Sequence, residues 1–123
     1  MASVFCVIQD ELTRQVLLLQ RAQDTSRPCQ YSLPGGRRKH IEPPDIAIIR
    51  EVFEETKLTI NGPKLIREWE DQAYFFANVH SPSVYINKES MAFVWINATV
   101  SQLQAVGEIM NYRRLLELQV FEL

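Results

Sequence analysis

Glycine is scarce in this 123-residue chain, with four residues, and cysteine is scarcer, with two. Two cysteines cannot build the disulfide lattice of a small secreted domain, and they give only weak support to a Cys6–Cys29 bridge. Cys6 sits in an apolar, strand-like run and reads as a small core residue, whereas Cys29 lies in a polar loop. His40 and His80 show no ligand spacing with either cysteine, which argues against a zinc site. A basic surplus is also missing. The 13 Lys and Arg against 15 Asp and Glu give a formal charge of −2, so bulk nucleic-acid binding is not expected. No apolar run reaches membrane-spanning length, and no basic-then-apolar leader opens the chain. There is no internal repeat and no low-complexity tract. These absences lead us to expect a cytoplasmic, reduced protein.

What is present suits a single domain over residues 1–123. Hydrophobic residues make up 46% of the chain and charged residues 23%, ordinary values for a globular protein long enough to bury a genuine core. Residues 3–8 and 16–19 are apolar runs joined by a polar turn, a hairpin pattern. Residues 22–30 are polar with Pro28 and read as a loop. A helix is predicted from Pro44, because proline is tolerated at the first helical position and Asp45 complements the positive end of the helix. Ile46, Ile49 and Phe53 recur at helical spacing, and Ala47, Ile48 and Val52 add a second apolar strip, so burial over a wide arc is expected. Residues 64–69, 73–79 and 91–100 read as strands, 101–107 as a loop, and 112–116 as a short strand. The element order indicates α+β layers.

The most informative segment is residues 36–58. Its helical part places Glu51, Glu54 and Glu55 at i, i+3 and i+4, on one helix face. Three carboxylates there repel one another unless a cation sits between them. Pro34-Gly35-Gly36 supplies a glycine turn just upstream, an arrangement suited to a metal ion and a phosphate chain. For an arbitrary E-x-x-E-E, however, a solvated acidic face is the ordinary reading.

The complete spacing resembles the Nudix box, G-x5-E-x7-R-E-U-x-E-E-x-G-U with U aliphatic. Gly36, Glu42, Arg50, Glu51, Val52, Glu54, Glu55 and Leu58 fill its defined positions, and Lys57 alone departs, standing where the family has glycine. Residues 16–21, 31–34 and 108–118 are similar to the flanking segments of MutT-like members of the family. The resemblance implies a Nudix fold, an α/β/α sandwich around a mixed sheet. It also implies a hydrolase that needs Mg²⁺ or Mn²⁺ and cuts a nucleoside diphosphate linked to another moiety, with a nucleoside triphosphate pyrophosphohydrolase as the leading expectation. The partner would be a small nucleotide derivative. Many relatives pair up, so a homodimer stays open. The rival reading is a catalytically silent domain that binds a nucleotide and regulates, for which Lys57 and the short C-terminus are the only support.

The same resemblance assigns residues. Glu51, Glu54 and Glu55 are the expected metal ligands, joined by the backbone carbonyl of Gly36, whose alternative role is simply that of a turn glycine. Glu42 is expected beside the metals and the substrate, or else as a charge easing the helix dipole. Arg50 would orient the catalytic glutamate, a contact that is otherwise an ordinary i,i+4 ion pair. The general base is left among Glu51, Glu54 and Glu108, the last from the later segment. Arg37 and Arg21 are candidates for a substrate phosphate. Tyr31, Trp69, Phe75 and Trp95 could stack on a base, but core is the expected place for each, as for most strand aromatics in a small domain. Lys57 is expected in left-handed backbone just past the helix, a strain on stability and not on the acidic cluster.

Overall fold

A computed structural model describes residues 2–80 and 82–123. Its centre is a mixed sheet. Strand β1 (Ser3–Asp10) forms a hairpin with β2 (Val16–Arg21), with Gln9 opposite Val16. Two short strands follow, β3 (Tyr31–Ser32) on β2 and β4 (Gly35–Arg37) on β1. After helix α1 (Pro44–Thr56) come β5 (Lys64–Glu68) and β6 (Gln72–Val79); β6 lies parallel to β1 and antiparallel to β5. Strand β7 (Ser90–Ile96) returns to pair with β2, and two short helices end the fold, α2 (Val100–Val106) and α3 (Tyr112–Glu117).

Side chains alternate across the strands, and both faces of the sheet are covered. Val4, Cys6 and Ile8 of β1 join Leu17, Leu19, Phe75 and Ala77 under Ala47, Ile48 and Val52 of α1. Phe5 and Val7 point the other way, with Leu18 and Tyr74, onto Leu103 of α2, Leu115 of α3 and Phe121. The result is the α/β/α sandwich expected from the resemblance. Among the described residues no helix is long and apolar enough to cross a membrane. Cys6 and Cys29 are both free, and burial pushes the Cys6 thiol up to about 12, which makes it an inert core residue.

The structure corrects several sequence expectations. In α1 the buried arc is narrower than expected: Ala47, Ile48 and Val52 are buried and Ile49 packs part-buried against the same core. Ile46 and Phe53 are about half exposed, and Phe53 carries the Lys57 ammonium over its ring at 5.1 Å. The strand expected over 91–100 stops at Ile96, and the loop expected over 101–107 is α2. Thr99 caps α2, its hydroxyl accepting from the Gln102 N–H at 3.2 Å. The strand expected over 112–116 is α3; its Arg, Leu and Glu residues are good helix formers, and Leu115 is its buried contact.

Both ends of α1 follow expectation. Pro43 precedes it with no side-chain cap, and Lys57 closes it in left-handed backbone at φ 64° while its N–H bonds the Phe53 carbonyl. Lys57→Gly should therefore raise stability by up to about 1 kcal/mol. Urea unfolding measures this, and a lower midpoint for the variant would show an unstrained lysine.

Candidate active site

Pairing of β4 with the start of β1 sets Gly36 opposite Val4 and brings the glycine turn against α1. The approach is close enough that only hydrogen fits. A Cβ on Gly36 would stand 2.5 Å from a Glu51 carboxylate oxygen, and one on Gly35 would run into the Val4 carbonyl oxygen. The Gly35 N–H donates to Glu55 Oε1 at 2.8 Å. Two of the three box glutamates thus bear directly on the turn that the sequence placed beside them.

These two glycines should respond differently to alanine. Gly35→Ala meets backbone and should destabilise by about 2–3 kcal/mol. Gly36→Ala meets the end of a flexible side chain, so the fold should hold while the Glu51 carboxylate is displaced and turnover drops at least about tenfold. Thermal melts beside an activity assay separate the two; a Gly36→Ala enzyme of full activity would remove Glu51 from the reaction.

Glu55 is buried, and burial, aided by the charges of Glu51 and Glu89, pushes its carboxyl up to about 8 against the Gly35 hydrogen bond. Glu51 is also raised, first by burial, with Arg50 pulling the other way. Arg50 is the hub of the remaining charges. Its guanidinium donates to Glu42 at 2.8 and 2.9 Å, to Glu51 at 3.0 Å, to Glu54 at 2.9 Å and to the Arg37 carbonyl at 3.2 Å. Glu42 is held at about 2, chiefly by its hydrogen bonds from Arg50. The intrahelical Arg50–Glu54 pair expected from spacing is therefore present and extended to Glu51 and Glu42.

Around Glu55 opens a cleft of about 370 Å³, lined also by Gly35, Gly36, Arg21, Arg27, Arg37 and Glu89. A larger hollow of about 1020 Å³ lies beyond the C-terminus of α1, near Lys57, Lys64 and His80, and contains none of the box carboxylates. Glu108 is not brought to the cleft; it is exposed between α2 and α3, where Gln30 donates to it at 3.4 Å. Glu89, just before β7, is the acidic residue that the later chain does deliver. Its only sequence signal is an acid preceding a strand, which is too common to single out. The four aromatics named as stacking candidates do not line the cleft: Phe75 and Trp95 pack on the α1 side of the sheet, Tyr31 and Trp69 on the other.

Among the described residues no three Asp, Glu, His or Cys side chains form a ready-made metal cage. The cation among the box carboxylates is the Arg50 guanidinium. The donor set nevertheless fits a hard divalent ion. It is all oxygen, the Glu51 carboxylate fills a cradle against Gly36, and Glu55 is buried among like charges with one N–H as its compensation.

A mixed sheet between helices, with an acidic helix set against a glycine turn, defines a Nudix-type domain. The NUDIX domain family matches residues 1–122, and the chain belongs to that family, whose enzymes are the Nudix hydrolases and generally use divalent metals. No curated protein matches it in sequence. Among solved structures it is similar to the MutT protein of Methanosarcina mazei Go1, with 21% identity, TM-score 0.73, and 97% of this chain and 92% of that one covered. The E. coli dihydroneopterin triphosphate pyrophosphohydrolase has 18% identity, TM-score 0.74, and coverage of 96% and 92%. A C. elegans Ap4A hydrolase has 21% identity, TM-score 0.71, and coverage of 94% and 92%. At these identities the likeness establishes the fold.

Proposed function

We propose that this protein hydrolyses a pyrophosphate bond in a nucleoside diphosphate derivative, with nucleoside triphosphates as the leading substrates and Mg²⁺ or Mn²⁺ as cofactor. The observation that carries this reading is the meeting of Glu51 with Gly36 and of Glu55 with the Gly35 N–H beside an arginine-lined cleft. When bound, the divalent ion would neutralise phosphate charge and favour ionisation of an attacking water. Glu51, Glu54, Glu55 and the Gly36 carbonyl would hold it. Arg50, tied down by Glu42, keeps Glu51 and Glu54 on one side of the helix, a positioning role. The water's proton would go to a box glutamate, Glu51 or Glu54; Glu108 is the later candidate for that base in the sequence, and Glu89, which lines the cleft, is better placed than Glu108 to assist. Cleft arginines whose guanidinium is unengaged are the groups for substrate phosphates.

Lys57 gives no support to the silent, regulatory reading. Its side chain lies over Phe53 and borders the other hollow, away from the carboxylates. The experiment is a panel of nucleoside triphosphates, nucleotide sugars, ADP-ribose and dinucleoside polyphosphates, assayed for phosphate and pyrophosphate release with Mg²⁺ or Mn²⁺. Metal-dependent release from at least one class is expected. Tight binding without turnover under every metal would replace the enzyme by a sensor.

A further inference from the structure

The sequence made Arg21 a candidate for a substrate phosphate, but its guanidinium is already engaged. Its Nε donates to the Ser26 carbonyl at 2.6 Å and its Nη2 to the Ser26 hydroxyl at 3.1 Å. Those bonds brace the loop of residues 22–30 from inside. The Thr25 hydroxyl adds a bond to the Ala22 carbonyl at 2.7 Å, the Cys29 N–H one to the Arg21 carbonyl at 3.0 Å, and Gln20 one to the Cys29 carbonyl at 3.1 Å. The frame holds two non-glycine residues in left-handed backbone, Arg27 at φ 52° and Cys29 at φ 66°. A β-carbon disfavours that backbone, so the bonding frame is what fixes the shape of the loop.

The loop carries Arg27. It is exposed and lines the cleft with Glu55 and Glu89, and among the described residues its guanidinium makes no hydrogen bond or ion pair. Arg37 lines the same cleft with its guanidinium equally free, while its backbone carbonyl accepts from Arg50. Two unengaged planar forks are matched to phosphate oxygens. By contrast, the cleft offers a nucleobase no exposed ring to stack on. Its one aromatic is Phe5, 7% exposed and stacked on Tyr74 at 5.3 Å.

We propose that Arg27, together with Arg37, grips the phosphate chain of the substrate, that Arg21 is a positioning residue for Arg27, and that the cleft thereby selects ligands by their polyphosphate and not by their base. This rests on the pyrophosphohydrolase reading above and deepens it. The test is calorimetric titration of the whole chain, with Mg²⁺, using inorganic tripolyphosphate and the α,β-methylene analogues of ATP, GTP and CTP. Arg27→Ala should weaken all four by about tenfold and to the same degree, with Arg27→Lys recovering part of the loss. Arg21→Ala should weaken them too, but it alone should speed hydrogen exchange at the amides of residues 22–30. Arg27→Ala binding tripolyphosphate within twofold of wild type, or losing affinity for one base only, would overturn the proposal while leaving the hydrolase reading intact. A wild-type protein that neither binds these ligands nor releases phosphate from any nucleotide would overturn both.

Discussion

Glu54→Gln is expected to lower kcat at least about a hundredfold in a protein that stays folded. The side chain is 50% exposed, and its structural contact is one i,i+4 pair with Arg50 at 2.9 Å. Exposed pairs of that kind contribute about 0.3–0.5 kcal/mol, and the amide oxygen of glutamine can still accept from the guanidinium. What the substitution removes is negative charge from the face that would hold a divalent ion against the substrate, and with it stabilisation of charge moving between phosphate oxygens. KM should change far less than kcat, because the arginines of the cleft are untouched. Steady-state kinetics with Mg²⁺, beside a thermal melt, provide the check, and turnover near wild type would take Glu54 out of the reaction. The same assay weighs the two later acids. Glu89→Gln, in the cleft, should reduce turnover severalfold, whereas Glu108→Gln, exposed and turned toward Gln30, should stay within about twofold.

Much of the site was legible in the sequence because its parts are local. The start of α1 followed from Pro44 and Asp45, and its left-handed end at Lys57 from the position where the box has glycine. The convergence of Glu51, Glu54 and Arg50 is a matter of helical spacing alone. Their meeting with Gly35 and Gly36 is not local, yet the fixed distance between glycine turn and helix encodes it. Where partners lie far apart in the chain, the sequence was silent or misleading. Glu89 reaches the cleft only because β7 pairs with β2 across some seventy residues of chain. Arg21 looked like a phosphate ligand because nothing in a linear reading shows its fork turned onto Ser26. The short helices α2 and α3 went unread for another reason. With seven and six residues they are too short for helical periodicity to register, and tertiary burial of Leu103 and Leu115 fixes them instead. The arc on α1 shows the same limit: both apolar strips were visible, and only the packing on the sheet leaves Ile46 and Phe53 exposed.

Stability without divalent ions should fall as pH rises from about 4.5 to about 8, and Glu55 is the reason. An ordinary glutamate loses its proton near 4.5, whereas burial beside Glu51 and Glu89 holds the Glu55 proton up to about 8 in the folded protein. Over that interval the folded chain binds more protons than the unfolded one. The stabilisation is therefore complete below 4.5 and is lost as the pH passes through 8, with an upper limit on the order of 5 kcal/mol. Glu42 works in the opposite sense in a separate window. Its carboxyl lies at about 2, so its contribution is present above 4.5 and fades only on acidification below that. Glu51, shifted in the same direction as Glu55, adds to the slope. The comparison that isolates Glu55 is the variant Glu55→Gln, whose side-chain oxygen can still accept from the Gly35 N–H that now bonds Glu55 at 2.8 Å. Urea unfolding in chelator should show the variant gaining on wild type as pH increases from 5 to 8. Added Mg²⁺ should restore wild type at pH 8, since ionised Glu55 then has a cation, and should do little for the glutamine variant. Equal wild-type stability at pH 5 and pH 8 in chelator would mean that Glu55 is ionised without any ion to compensate it, and the case for a carboxylate built to receive a metal would fail there.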